Sequence, residues 1–190
     1  GEDTVILEEI AGYIGLNRFY KYAKMHRGRL DKYMYRDYLG FAKALGLDLK
    51  NNRYAFPKNL REEHDKLEAQ YEIQSEKIIQ DGIKKRGKEL SNNKYQDKMF
   101  VIMPACSLKA LQNESKQQKN CVRTYAEEYA KGKCDIYFMR AIDKPRKSLV
   151  TVEVKNNRVV QSRIKCNRNP NEEQLKFLNN WEQKVLKGAA

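Results

Sequence analysis

The sequence predicts an α+β fold: N-terminal helices and a long capped helix, then a small antiparallel sheet of about four strands packed by helices. Three observations predict it. Apolar residues recur at helical spacing from Thr4 to Leu45 and again from Leu60 onward. The stretch from Met99 to Lys165 holds short β-branched runs, one of them strictly alternating. The C-terminal segment opens on a helix-capping sequence, Asn171-Glu172-Glu173-Gln174. With 190 residues, 41% apolar and 10% aromatic, the chain can build one sizeable domain or two small ones, and disorder over its whole length is excluded.

From Thr4, a candidate N-cap, Ile6, Leu7, Ile10 and Tyr13 fall near a period of 3.6, and Gly15 interrupts them. A second helix is expected over Asn17 to His26 and a third from Leu30 to Leu45, with Gly46 closing it. Tyr20, Tyr22, Tyr33, Tyr35 and Tyr38 read mainly as core and rim. The short connections resemble small helical DNA-binding modules, though no helix-turn-helix is assigned. Lys50 to Arg53 reads as a polar turn. Asn59-Leu60-Arg61-Glu62 is a capping box opening a helix that continues to about Leu90. Leu60, His64, Leu67, Tyr71, Gln74 and Ile78 are spaced 4, 3, 4, 3, 4 along one seam. His64 there reads as a core or rim residue. Gly82 and Gly87 weaken the last turns.

Beyond this helix, Met99 to Met103 reads as a buried strand ended by Pro104. Ser107 caps a short helix through Gln112, and a second helix runs from Asn120 to Lys131, stopping at Gly132. On it Cys121, Tyr125 and Tyr129 share one face. Cys134 to Ile142 is a strand and Asp143 to Arg146 a turn. Ser148 to Lys155 then pairs with Arg158 to Lys165 through Asn156-Asn157, a pair that tolerates positive φ. A regular register sets Val154 opposite Val159 and puts Gln161 and Arg163 with Val150 and Val152. A bulge would instead bring Thr151 and Glu153 to the side of Gln161 and Arg163. The last helix presents Leu175, Leu178, Trp181 and Val185 to the sheet. The expected organisation is a helical region over 1–53, a connecting helix over 54–93 and an α+β domain over 94–190, with 54–190 able to fold as one unit.

Charge is uneven along the chain. Residues 94–168 carry 17 basic and 7 acidic side chains, a local excess that points to an acidic polymer, DNA or RNA, with an acidic protein partner as the alternative. Cys106, Cys121, Cys134 and Cys166 show no C-x-x-C spacing, so buried reduced thiols are expected and no metal site. No apolar run reaches membrane-spanning length and no signal sequence is visible, so no membrane partner is expected and a reducing cytoplasm is the simplest compartment. The chain begins with Gly1 and not Met, as a piece of a longer protein would.

The most unusual polar residues lie between Asn120 and Arg168. The series Cys121-Val122, Tyr125, Gly132, Ile136, Arg140, Thr151, Glu153, Gln161, Arg163 and Asn167-Arg168, with Tyr54 to Asp65 upstream, resembles the PcfJ-like family of conjugative plasmids and phages. Two positions depart from that pattern: Asn120 stands where the family usually has His, and Ile164 where it usually has Gly. The resemblance implies a context of mobile elements and names no reaction or cofactor. Two functions are compatible with the residues. In the first, a basic nucleic-acid-binding accessory domain holds phosphates with Arg140, Arg163, Lys165 and Arg168. In the second, an enzyme acts on nucleic acid or nucleotide with Glu153 as acid or base. Arg140 and Arg163 then stabilise developing negative charge, and Thr151, Gln161 and Asn167 orient substrate. Cys121, near a helix N-terminus, is a candidate nucleophile beside Tyr125, or a small residue packed under it. A protein-binding accessory or inhibitory role is a third class. A lone carboxylate among arginines is equally what a structural ion pair looks like.

Overall fold

The computed structural model describes the backbone of residues 2–188 and the side chains of 4–188; Gly1 lies outside the described residues. The chain divides into two compact units, 1–76 and 77–190. Among the described residues no helix is long and apolar enough to cross a membrane.

The first unit is helical: α1 (Glu2–Ile14), α2 (Leu16–Met25), α3 (Lys32–Ala44), the single turn α4 (Asn52–Ala55) and the first half of α5 (Leu60–Glu89). Thr4 lies inside α1 and does not cap it, because the helix already starts at Glu2. Gly15, at φ +80, breaks α1 from α2, and Gly46, at φ +78, closes α3 with its N–H on the Lys43 carbonyl. Lys50 to Arg53 is not a plain turn, since Asn51 caps α4 by accepting the Arg53 N–H at 2.9 Å. The core holds Ile6, Ile10, Phe19, Tyr22, Tyr35, Tyr38 and Leu39. Its buried phenols are satisfied by backbone: Tyr22 donates to the Pro57 carbonyl (2.7 Å) and Tyr35 to that of Ala55 (2.6 Å). The five tyrosines divide accordingly, with Tyr22, Tyr35 and Tyr38 buried and Tyr20 and Tyr33 exposed.

α5 is continuous over 30 residues. Only half of its capping box forms: Asn59 Oδ1 accepts the Glu62 N–H (3.3 Å), while the Glu62 carboxylate takes the Asn59 side-chain amide and not its backbone. The expected seam holds for Leu60 and Leu67 and fails beyond, with Tyr71 39% and Ile78 63% exposed. The buried stripe resumes one residue along, at Ile79, Ile83 and Leu90. There the glycines have a packing role: a Cβ on Gly82 would lie 2.8 Å from Ala130 Cβ, and one on Gly87 2.6 Å from the Ala105 carbonyl oxygen.

The second unit is built on one antiparallel sheet in the order β1-β2-β3-β4-β5. Its strands are β1 (Tyr95–Gln96), β2 (Phe100–Pro104), β3 (Asp135–Ala141), β4 (Val150–Lys155) and β5 (Arg158–Arg163). The sheet has five strands where about four were expected; the extra one is a two-residue strand pairing Tyr95 with Ile102. Between β2 and β3 run α6 (Leu108–Gln118), a 3₁₀ turn (Val122–Tyr125) and α7 (Ala126–Ala130); α8 (Glu172–Trp181) follows the sheet. One face of the sheet meets α8, where Tyr137 packs edge-on to Trp181 at 4.8 Å and Phe100 to Phe177 at 5.6 Å. Trp181 is fully buried, and its indole N–H donates to the Asn93 carbonyl at 2.8 Å. Leu175 is turned outward, and Phe177 fills the place expected of it, because the buried stripe of α8 runs Gln174, Phe177, Leu178, Trp181. The Asn171 capping box forms in both directions. Of the cysteines only Cys134 is buried; the other three are exposed and all four are free.

Candidate functional site

The opposite face of the sheet carries polar residues, and a one-residue irregularity puts them together. Asn156 and Asn157, at φ 52 and 56, make the turn that pairs Lys155 with Arg158 and Val154 with Val159. The ladder then shifts, so that Glu153 pairs with Gln161 and Thr151 with Arg163, leaving Val160 passed over and 53% exposed. This bulge moves Gln161 and Arg163 to the side of Thr151 and Glu153. On β3, Ile136 lies opposite Glu153 and Phe138 opposite Thr151, which extends the same face.

That face is covered by α6 and the connection to α7. α6 does not stop at Gln112 but continues to Gln118, and its inward stripe is Leu111, Glu114 and Gln118. Glu114 is 1% exposed and is the hub of a polar network. It is ion-paired to Arg140 and accepts hydroxyls from Ser148 (2.6 Å) and Thr151 (2.7 Å). Thr151 Oγ1 in turn accepts from Asn120 Nδ2 at 3.3 Å. Lys119, at φ 51, ends α6 in the left-handed conformation, and Asn120 Oδ1 takes the Val122 N–H at 3.1 Å. The chain therefore enters a 3₁₀ turn at Val122, not the α-helix expected from Asn120. Cys121 precedes only this turn and so lacks the dipole of a long helix. Tyr129 goes to the core, donating to the Ala105 carbonyl at 2.6 Å, while Tyr125 is half-buried against its edge and Cys121 is exposed.

Between this connection and the β4–β5 hairpin lies a cleft of about 370 Å³. Asn120, Cys121, Val122 and Tyr125 form one wall; Ile136, Thr151, Glu153, Gln161 and Arg163 form the floor and other wall; Asn167 closes one end. Asn167 is held there by a tight turn in which Ile164 bridges Arg168 and both Cys166 and Asn167 take positive φ, at 62 and 56. Backbone in that region is unusual for side-chain-bearing residues and gathers at functional loops.

Glu153 is the charge at the cleft floor, its side chain 11% exposed. Lys155 Nζ pairs with its buried Oε1 at 2.9 Å, and this contact is the main cause raising the Lys155 ammonium. The carboxylate charge is felt nearby. It is the main cause raising the Tyr125 phenol, and it adds to the burial that pushes the Cys134 thiol up to about 11. Tyr125 is thus kept as an O–H donor. Arg163 Nη1 donates to Asn169 Oδ1 (2.9 Å) and to the Ser162 carbonyl (3.1 Å), leaving its second terminal nitrogen turned to no acceptor among the described residues.

Of the residues singled out in the sequence, Cys121, Tyr125, Thr151, Glu153, Gln161, Arg163 and Asn167 all line the cleft. Arg140 does not: Glu114 absorbs its charge, and its side chain is 12% exposed. The structural ion pair is therefore Arg140 with Glu114, and Glu153 pairs with no arginine. Lys165 and Arg168 are exposed on the turn that carries Asn167, one before it and one after. Sequence reasoning missed Glu114 and took Asn120 only as a departure. The available signal was the spacing Leu111, Glu114, Gln118, which puts a carboxylate on the apolar stripe of a helix. Among the described residues the one group of three metal-type donors is His64, Asp65 and Glu68 on α5, outside the cleft, with both carboxylates solvent-exposed.

Fold and site define an α+β domain whose bulged hairpin and α6–α7 connection enclose a polar cleft over a buried ion-pair network. The chain belongs to the PcfJ-like protein family, whose pattern matches residues 34–178, more than half of its length. An uncharacterized protein of Listeria innocua, Lin1253/Lin1744, is 28% identical over 192 residues, covering 96% of this chain and 40% of that protein. The chain thus spans less than half the length of that relative. No solved structure matches it.

Proposed function

We propose that this chain is a nucleic-acid-binding domain of the mobile-element machinery that the PcfJ-like resemblance implies, and that its cleft seats one unpaired nucleotide. The observation that carries this reading is the convergence of Tyr125, Glu153, Gln161, Arg163 and Asn167 on one concavity within the most basic stretch of the chain. Its volume, about 370 Å³, falls at the small end of the roughly 300–1,000 Å³ of small-ligand sites. An unpaired base is the part of a nucleic acid that enters such a cleft, since bases inside a duplex are closed off by stacking. Arg123, Lys165 and Arg168 make no ion pair among the described residues, and they flank the cleft-lining Val122 and Asn167 in sequence. They supply phosphate contacts of the kind that position without reading sequence.

Fluorescence anisotropy with labelled single- and double-stranded 30-mers tests this. Single strands should bind better, and affinity should fall by on the order of a hundred- to a thousandfold between 50 and 200 mM salt if about six phosphates are held. Arg168→Ala should weaken binding and lower the salt slope by about one. A flat salt titration, or no retention of any strand at low salt, removes nucleic acid as partner.

A second reading has its own observation. Glu153 is a carboxylate in a cleft that no structural arginine claims, which is how an acid or base of an enzyme acting on nucleic acid or nucleotide is placed. Arg163 is then its charge stabiliser, and Arg140 has no part. Turnover of the bound strand by the native chain, abolished in Glu153→Gln with binding retained, would select this reading.

A further inference from the structure

We infer that the outer face of α2, with the turn that follows it, rests on an anionic bilayer surface, a role separate from that of the cleft. α2 turns Phe19 and Tyr22 into the core, so the opposite side of the helix is left to solvent. Leu16, Tyr20 and Lys24 follow one another at four-residue steps along that side, and Asn17, Lys21 and Met25 make the adjacent row. The apolar members stand open: Leu16 is 45%, Tyr20 53% and Met25 69% exposed. Beyond Met25 the chain leaves α2 through two successive left-handed residues, Arg27 at φ 51 and Gly28 at φ 76. The Arg27 N–H donates to the Lys24 carbonyl at 3.1 Å and the Arg29 N–H to that of His26 at 3.0 Å. A long side chain in that backbone region is uncommon, and here the turn holds both arginines in solvent.

Positive charge and apolar exposure therefore coincide. Residues 15–31 hold Arg18, Lys21, Lys24, Arg27 and Arg29 against a single acidic side chain, Asp31. Arg18 is tied to the Leu49 and Lys50 carbonyls, and Asp31 caps α3 by accepting the Met34 N–H at 3.0 Å. The other four cations are exposed and form no ion pair among the described residues. A second copy of this chain would set these cations against their like. A nucleic-acid backbone would satisfy them and leave Leu16, Tyr20 and Met25 in water. A protein partner anchors its side chains in pockets, and this face is the convex outer side of one helix. The surface of an anionic bilayer meets both demands: its headgroups attract the cations, and the boundary just beneath takes in apolar and aromatic side chains. Lying on a bilayer in this way requires no spanning helix.

The test is co-sedimentation of the full chain with phosphatidylcholine vesicles, with and without phosphatidylserine. Each cation near such a surface strengthens partitioning roughly fivefold, so the four together should favour the anionic vesicles by on the order of a hundredfold or more. Residues 94–168 are basic too, so variants decide which surface is used. Tyr20→Ser with Met25→Ser changes no charge and should weaken binding to the anionic vesicles by about tenfold. Lys21→Ala with Lys24→Ala should weaken it by roughly twenty- to thirtyfold, while the affinity for a single-stranded 30-mer stays. Arg168→Ala should leave vesicle binding in place. Should the helix variants not fold, Arg27→Ala with Arg29→Ala makes the same charge test on the turn. Equal binding to the two kinds of vesicle, or to neither, overturns the inference, as does vesicle binding that the Tyr20 and Met25 changes leave intact. Vesicle binding lost in Arg168→Ala and kept in the α2 variants would move the contact to the second unit. A Lys21 and Lys24 variant that loses the 30-mer and keeps the vesicles would give the face to nucleic acid, and either result also overturns the inference.

Discussion

Glu114 and Glu153 face the same side of the sheet, yet removing them should have opposite consequences. Glu114 is 1% exposed and compensates an Arg140 side chain that is 12% exposed. Glu114→Ala strands that cation and two hydroxyls, so stability should fall by about 3–5 kcal/mol in urea melts, and Arg140→Met in the same chain should recover most of the loss. Glu153 is paired with Lys155, which is 46% exposed and free to return to solvent. Glu153→Gln should therefore shift the melting temperature little, and a large drop would show that the carboxylate is structural. Cys134 gives a pH signature. Burial, aided by Glu153, raises its thiol from 9.0 to about 11, so the fold favours the protonated form. Its contribution is whole below pH 9 and is lost as pH climbs toward 11. Tyr38 and Tyr137, each pushed up to about 12 mainly by burial, follow at higher pH. Thermal melts at pH 8 and 10.5 should show the loss, and Cys134→Ala should remove its earlier part while the tyrosine part stays.

At the level of elements, Gly87 opposes two effects of known size. Alanine gains at most about 1 kcal/mol over glycine in helix propensity, and less in a last turn such as the one that holds Gly87. Its Cβ, however, would meet the Ala105 carbonyl oxygen at 2.6 Å, a backbone atom that cannot swing aside. Overpacking of this kind costs roughly 1–3 kcal/mol, so Gly87→Ala should destabilise on balance, and a denaturation midpoint above that of the native chain would refute the close packing. The glycine's presence was legible in the sequence, but its reason was not, because the contact lies in a different element. The same division runs through the fold. Asn156-Asn157, the Asn171 capping box and the period of α3 declare their structures locally, through positive φ, side-chain capping and a clean apolar stripe. α6 hides its length because Gln112 to Gln118 is polar throughout and its buried face is a carboxylate and an amide, recognisable only once Arg140 and Thr151 are in place. The candidate cleft was half legible for a related reason. Its residue types stand out, but alternation alone puts Gln161 and Arg163 on the other face, and only pairing with β4 shows that Val160 is passed over.

On the scale of the whole chain, each core is built from its own stretch of sequence. The residues of the first lie between Ile6 and Leu67, and those of the second between Ile79 and Leu186. A fragment of residues 54–190 therefore keeps every strand, the Glu114 network and the cleft. It loses the tyrosines that serve its own N-terminal part, since Tyr22 donates to Pro57 and Tyr35 to Ala55. Leu60 and Leu67, buried in the intact chain, would then be exposed. The fragment should melt cooperatively and give dispersed amide signals from β2 to β5, while amides near Leu60 to Leu67 exchange fast with solvent. Oligonucleotide affinity should be close to that of the full chain, because the basic stretch 94–168 is retained. A fragment that folds but no longer binds would move the nucleic-acid contacts to the N-terminal helices. A fragment with no dispersed signals would show that the second core depends on the first.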